Sequence, residues 1–137
     1  LFDKVIVVVM VNASKKTLFS LEERKELLCR VTADMDNVEV DSYDGLLAEY
    51  AKQRGATAVV KGLRAVSDFE YEFQMALTNR KLNPDVETVF LATSAEHMYI
   101  SSSLVKQVAK LGGDIHEFVP SCIVKDILEK YGRNEEE

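Results

Sequence analysis

Continuous apolar runs alternate with amphipathic stretches along this chain, and that alternation predicts the order of its elements. Val5-Ile-Val-Val-Val-Met-Val11 is apolar throughout and rich in β-branched residues. Such runs suit strands covered on both faces, as in parallel sheets. Asn12-Ala-Ser-Lys-Lys-Thr17 reads as a polar loop. Ser20-Leu-Glu-Glu23 is a capping-box pattern that opens a helix reaching about Asp34, with Leu27, Leu28 and Val31 on one face. Val38-Glu-Val40 reads as a short strand and Asp41 to Asp44 as a turn. Gly45 to Arg54 reads as a helix closed by Gly55. Thr57 to Lys61 is the third predicted strand. Ser67-Asp-Phe-Glu70 resembles a second capping box, opening a long helix that stops by Asn83-Pro84. Phe69, Phe73, Ala76 and Leu77 would form its core face, with Tyr71 turned elsewhere, toward a ligand or a neighbouring subunit. Val86 to Ala92 is a fourth strand. Ser101 to Leu111 is a helix closed by Gly112-Gly113, and Pro120-Ser121 starts a last helix ending near Gly132.

The order βαβαβαβαα implies an α/β fold, a parallel sheet with helices on both faces. Its 137 residues suit one domain, expected over residues 1–132 with a disordered tail at 133–137. The chain enters an apolar strand almost at once after Leu1-Phe2-Asp3-Lys4, so it reads as beginning within a domain.

In open parallel sheets ligands bind beyond the carboxyl ends of the strands. The chemistry-bearing residues cluster there. Lys15 and Lys16 follow the first predicted strand, Leu46 and Leu47 the second, Lys61, Gly62 and Arg64 the third, and Ser101, Ser102 and Ser103 lie beyond the fourth. Lys61-Gly-Leu-Arg64 sets two cations around a glycine just before a helix. Glycine admits close backbone approach, and a helix start offers N–H groups to an anion. The bland alternative is a strand end whose cations reach out to water. The Ser-Ser-Ser run supplies more hydroxyls than one N-cap needs, so it reads either as an ordinary cap or as a phosphate cradle.

Net charge is −6, which argues against a general nucleic-acid-binding surface. Any anion site must then be a local cluster of cations. Cys29 and Cys122 sit in apolar helical patterns and are expected to pack in the core. No CxxC or Cys/His cluster marks a zinc site. No stretch reaches the roughly 18 apolar residues needed to span a membrane. With no signal-peptide pattern either, a cytoplasmic location is expected. No Ser/His/Asp or Cys/His nucleophilic arrangement is visible.

Lys61-Gly-Leu-Arg-Ala-Val-Ser-Asp-Phe-Glu-Tyr-Glu-Phe-Gln-Met-Ala76 closely resembles the central motif of the bacterial phosphopantetheine adenylyltransferase family. So do Asn12-Ala-Ser-Lys-Lys-Thr-Leu-Phe-Ser-Leu-Glu-Glu-Arg24 and Ile100-Ser-Ser-Ser-Leu-Val-Lys106. The resemblance runs from Leu1 to about Leu128. The central motif is long and specific, whereas the serine motif is shared with other nucleotidyltransferases. The resemblance implies a Rossmann-like fold, a homohexamer, and transfer of an adenylyl group from ATP to 4′-phosphopantetheine with Mg2+. The products would be dephospho-coenzyme A and pyrophosphate, the penultimate step of coenzyme A synthesis. It further implies that Lys15 and Lys61 bind the acceptor's phosphate, that Leu47 lines the pantetheine pocket and that Asn79 touches the pantetheine arm. Gly62, Leu63, Arg64, Glu72, His97, Met98, Tyr99, Ile100, Ser101, Ser102 and Ser103 would contact ATP. Lys15 and Arg64 would be the catalytic cations, and no residue is expected to ligate a metal directly.

Two departures from the family pattern stand out. Lys61 occupies a position where the family commonly has arginine, which keeps the charge but loses the bidentate fork. The family also carries an N-terminal loop, Gly-Thr-Phe-Asp-Pro-x-Thr-x-Gly-His, whose threonine and histidine contact the α-phosphate; this sequence starts just after it. His97 and His116 do not match that pattern. A chain without the loop is expected to turn over poorly. Two rival readings remain at this point: a nucleotidyltransferase acting on another phosphorylated acceptor, and a non-enzymatic nucleotide-binding module that retained the fold.

Overall fold

A computed structural model describes residues 1–12 and 14–134, and only the backbone of Val66 and Ser67. Ala13 of the expected loop and 135–137 of the expected tail lie outside the described residues. The elements run β1 (Val5–Met10), α1 (Leu21–Val31), β2 (Val38–Tyr43), α2 (Leu47–Gln53), β3 (Ala58–Leu63), α3 (Val66–Leu82), β4 (Glu87–Ala92), α4 (Ser102–Lys110) and α5 (Ser121–Glu129). A short 3-10 turn, Ala95–His97, follows β4. All strand pairing among the described residues is parallel, as the alternation predicts. It falls into two pairs, β1 with β2 and β3 with β4. Among the described residues no helix is long and apolar enough to cross a membrane.

The contacts divide the chain into two compact units: Leu1–Asp44 together with the chain from Ile100 onward, and Gly45–Tyr99. In the first, β1 and β2 pair from Val5 with Val38 to Met10 with Tyr43. The predicted second strand ended at Val40, with a turn from Asp41. Instead Asp41, Ser42 and Tyr43 continue the strand because they pair with Val8, Val9 and Met10. Local turn propensity lost to a ladder already specified by a six-residue apolar partner. The helical core of this unit is Val105, Ala109, Ile115, Val124, Ile127 and Leu128, packed with Leu18, Phe19 and Ile100.

The capping box at α1 forms as predicted. Ser20 Oγ accepts from the Glu23 backbone N–H at 3.2 Å, and Glu23 Oε2 accepts from the Ser20 N–H at 2.7 Å. The helix is shorter than expected, ending at Val31 rather than near Asp34. Thr32 closes it by donating its hydroxyl to the Leu28 carbonyl at 2.8 Å. Both cysteines correct the sequence reading: Cys29 and Cys122 are exposed. Each lies on an amphipathic helix, just outside the buried stripe.

The second unit holds β3, β4, α2 and α3. Gly55 ends α2 as expected, with φ of 61°. Its N–H reaches the Lys52 carbonyl and the Ala56 N–H reaches the Ala51 carbonyl, the paired bonds of a Schellman turn. Asn83 is buried at the foot of α3 and donates to the Ala48 carbonyl of α2 at 3.2 Å, tying the two helices together. Phe69 and Phe73 correct the sequence reading. They stay 42% and 46% exposed, stacked on each other at 5.4 Å between ring centroids. Phe69 also meets Phe90 edge-on, but Leu77 is exposed as well. Hydrophobic spacing alone assigned this face to a core, and most of it has no covering layer among the described residues.

Candidate nucleotidyl-transfer site

Strand β3 positions the central cations differently from the sequence expectation. The strand was expected to span Thr57 to Lys61. Pairing of Lys61 with Phe90, Gly62 with Leu91 and Leu63 with Ala92 carries it to Leu63. Lys61 and Gly62 therefore project from the strand itself, and Arg64 is the first residue beyond it. A second correction concerns the helix start. Helix α3 begins at Val66, its N-cap is Ala65, and no side chain caps it. Ser67 thus stands inside the first turn rather than at the cap; its side chain lies outside the described atoms.

Both cations meet carboxylates from α3. Lys61 Nζ lies 3.2 Å from Glu72 Oε2. Arg64 Nε donates to Asp68 Oδ2 at 2.9 Å, Nη2 donates to Oδ1 at 3.3 Å, and the Arg64 backbone N–H also reaches Oδ2 at 3.3 Å. The guanidinium's hydrogen bonds hold the Asp68 carboxyl below the usual carboxylate range, against the opposing effect of desolvation. Asp68 and Glu72 are four residues apart, so one helix face presents both acids. Among the site residues, Asp68 is the one the sequence reading missed. Its spacing of four from Arg64 was the available signal.

Lys61 also lines a cavity of about 100 Å³ with Leu47, Tyr71, Glu72, Met75 and Asn79. The structure therefore brings together the three acceptor-side candidates of this unit, Leu47, Lys61 and Asn79, and sets beside them Glu72, which was expected to contact ATP. Asn79 is only 7% exposed, unusual for an amide on a helix face. Tyr71, singled out as turned away from the core, is largely exposed and forms part of this wall. Small-molecule clefts are commonly ~300 Å³ or more, so this cavity is small for a whole ligand.

Gly62 has a clear side. A methyl group built on it would meet only Thr93 Oγ1, at 4.0 Å. Packing among the described residues therefore leaves room for a side chain there. After β4, Ser94 Oγ and His97 Nδ1 lie 2.7 Å apart, and Met98 and Tyr99 are exposed.

The remaining candidates lie in the other unit. Lys15 is exposed in the loop after β1, and its N–H reaches the Asn12 carbonyl at 3.2 Å. Asn12 Oδ1 accepts from the Ser14 N–H and hydroxyl. Ser101 is the N-cap of α4, its Oγ accepting from the Leu104 N–H at 3.2 Å. One serine therefore does the capping, while Ser102 and Ser103 present exposed hydroxyl residues on the first turn. Ile100, just before the cap, packs against the apolar core.

A larger cavity of about 260 Å³ lies between α1 and α5 and holds none of these residues. It is bounded by ion pairs, Arg30 with Asp126 and Lys130 with Glu23, each at 2.6 Å.

Comparison with known proteins places the chain in a family. A cytidylyltransferase-like family profile matches residues 1–108. The phosphopantetheine adenylyltransferase of Caldanaerobacter subterraneus subsp. tengcongensis is 59% identical over 134 residues, covering 98% of this chain and 84% of the relative. The enzyme of the same name from Clostridium tetani is 57% identical over 129 residues, covering 94% and 81% respectively. That from Clostridium novyi is 54% identical over 132 residues, covering 96% and 82%. The parallel α/β framework, the cations at the end of β3 and this extent of identity lead to one assignment: the chain belongs to the phosphopantetheine adenylyltransferases, within the cytidylyltransferase-like family.

Proposed function

We propose that this protein transfers an adenylyl group from ATP to 4′-phosphopantetheine, giving dephospho-coenzyme A and pyrophosphate. The observation that carries this reading is the wall made by Leu47, Lys61, Glu72 and Asn79, where a cation and a buried amide share one cavity with apolar residues. A phosphorylated, amide-bearing arm needs that mixture: charge for the phosphate, a hydrogen-bonding partner for the amide and apolar contact for the methylenes. Identity above 50% to enzymes of that name supports the same acceptor.

The chemistry asks for placement and charge. A phosphate oxygen of the acceptor attacks the α-phosphorus of ATP in line, the bond to the bridging oxygen breaks, and pyrophosphate leaves with that electron pair. No covalent intermediate on the protein is required. Lys15 and Lys61 neutralise the acceptor's phosphate so that it can approach another anion. Arg64 holds the phosphates of ATP, and Gly62 and Leu63 lie against the nucleotide. Glu72 is the present partner of Lys61, so an arriving phosphate competes with a carboxylate for that ammonium. His97 to Tyr99 and Ile100 to Ser103 complete the nucleotide contacts, the latter through hydroxyls and N–H groups at the start of α4. Mg2+ would come with the nucleotide and would supply positive charge to offset that of the departing pyrophosphate. Among the described residues there is no group of three or more His, Cys, Asp or Glu placed to hold a metal ion.

The protein works as one nucleotidyltransferase domain, in the cytoplasm, and assembles as a homohexamer. Exposed Phe69, Phe73, Leu77 and Leu82 on α3 support assembly, since monomers rarely leave so much apolar surface on one helix. The direct test of function is to incubate the full-length protein with ATP, Mg2+ and 4′-phosphopantetheine and identify the product by mass spectrometry. Dephospho-coenzyme A is expected. Its absence, with the protein folded, would sink the reading.

A further inference from the structure

A single carboxylate grips Arg64 at three points. Asp68 Oδ2 accepts from Nε and from the residue's own backbone N–H, while Oδ1 accepts from Nη2. The contacts fix the main chain where β3 ends and the plane of the guanidinium at once. Both side chains are partly sheltered, at 39% and 28% exposure. The carboxylate occupies the Nε–Nη2 edge of the fork. That contact sets the plane of the guanidinium, and a planar fork held in one orientation suits recognition of a phosphate. An unrestrained arginine samples many rotamers, and a ligand would otherwise have to remove that freedom on binding.

We infer that Asp68 is a positioning residue for Arg64, fixing the orientation in which the guanidinium meets the phosphates of ATP. The inference rests on the proposed role of Arg64 in ATP binding. It contrasts with a purely structural role, in which Asp68 only complements the positive N-terminal end of α3.

Steady-state kinetics on the full-length protein separate the two. Asp68→Asn should raise KM for ATP about tenfold, the loss expected for one charge-assisted hydrogen-bonding arrangement, while KM for 4′-phosphopantetheine stays within twofold. In an Arg64→Ala background the same substitution should cause no further loss. Asp68→Glu keeps the charge at the helix start but moves the carboxylate by one methylene. It should preserve the melting temperature without restoring KM for ATP. The inference is overturned if Asp68→Asn leaves KM for ATP unchanged, if its effect is equal in both backgrounds, or if Asp68→Glu restores KM fully. An unchanged KM for ATP in Arg64→Ala alone would instead overturn the nucleotide role of Arg64, and the inference with it.

Discussion

Lys61 and Arg64 stand three residues apart and carry the same charge, yet their surroundings differ. Lys61 lines a cavity with Asn79 and meets one carboxylate oxygen, whereas Arg64 lies beyond the strand and is held by both oxygens of Asp68. Their substitutions should therefore act on different substrates. A hydrogen bond to a charged group contributes about 1.5–3 kcal/mol, so Lys61→Ala should raise KM for 4′-phosphopantetheine tenfold or more while KM for ATP changes little. Equal effects on both substrates would contradict the assignment. Gly62 offers a cleaner probe. A methyl group meets nothing closer than Thr93 Oγ1 at 4.0 Å, so Gly62→Ala should melt within a few degrees of the parent while weakening ATP binding. Unchanged ATP affinity by titration calorimetry would remove Gly62 from the nucleotide site. Lys61, Gly62 and Arg64 were legible from the sequence because cations around a glycine are conspicuous before a helix. Asp68 was not, because its meaning comes from where α3 starts. The Ser67–Glu70 pattern suggested a start two residues later than the observed one, and a shift of that size changes which side chain faces Arg64.

At the scale of elements, α1 and α5 are joined by charges at their exposed rim. Glu23 serves twice: Oε2 takes the Ser20 N–H and Oε1 takes Lys130 Nζ at 2.6 Å. These contacts, the Lys130 bond first, hold its carboxyl below the usual range. A lowered folded-state pKa means the stabilisation is fully present above the unfolded value of about 4.3 and is lost as pH falls through the folded value. Between pH 5 and 3 the protein should lose melting temperature, and Glu23→Gln should flatten that slope. An identical slope in the variant would show that the pair contributes nothing measurable. Ser20→Ala should cost about 1 kcal/mol by chemical denaturation, from loss of the cap. This helix start was legible because both halves of a capping box are local in sequence. The length of β2 was not: Asp41 and Ser42 look like turn residues, and only pairing with Val8 and Val9 makes them strand. Likewise Cys29 and Cys122 have apolar neighbours in sequence but are exposed, since each lies beside the buried stripe of its helix rather than on it.

For the whole molecule, the order of strands and helices carried most of the fold class. Apolar β-branched runs separated by amphipathic helices leave parallel pairing as the economical solution, and both observed pairs are parallel. What the pattern could not say was which apolar faces are covered within the chain. Phe69, Phe73 and Leu77 follow core spacing and stay exposed, so periodicity reports that a face is apolar without reporting its partner. If assembly covers it, Phe73→Glu should shift the full-length protein to a smaller species in light scattering behind size exclusion. Retention of the parental mass would place the interface elsewhere. Acceptor specificity tests the account as a whole. Pyrophosphate release by the full-length protein, with ATP and Mg2+ held constant, should be fast with 4′-phosphopantetheine and negligible with nicotinate mononucleotide. Equal rates with the two acceptors would contradict it.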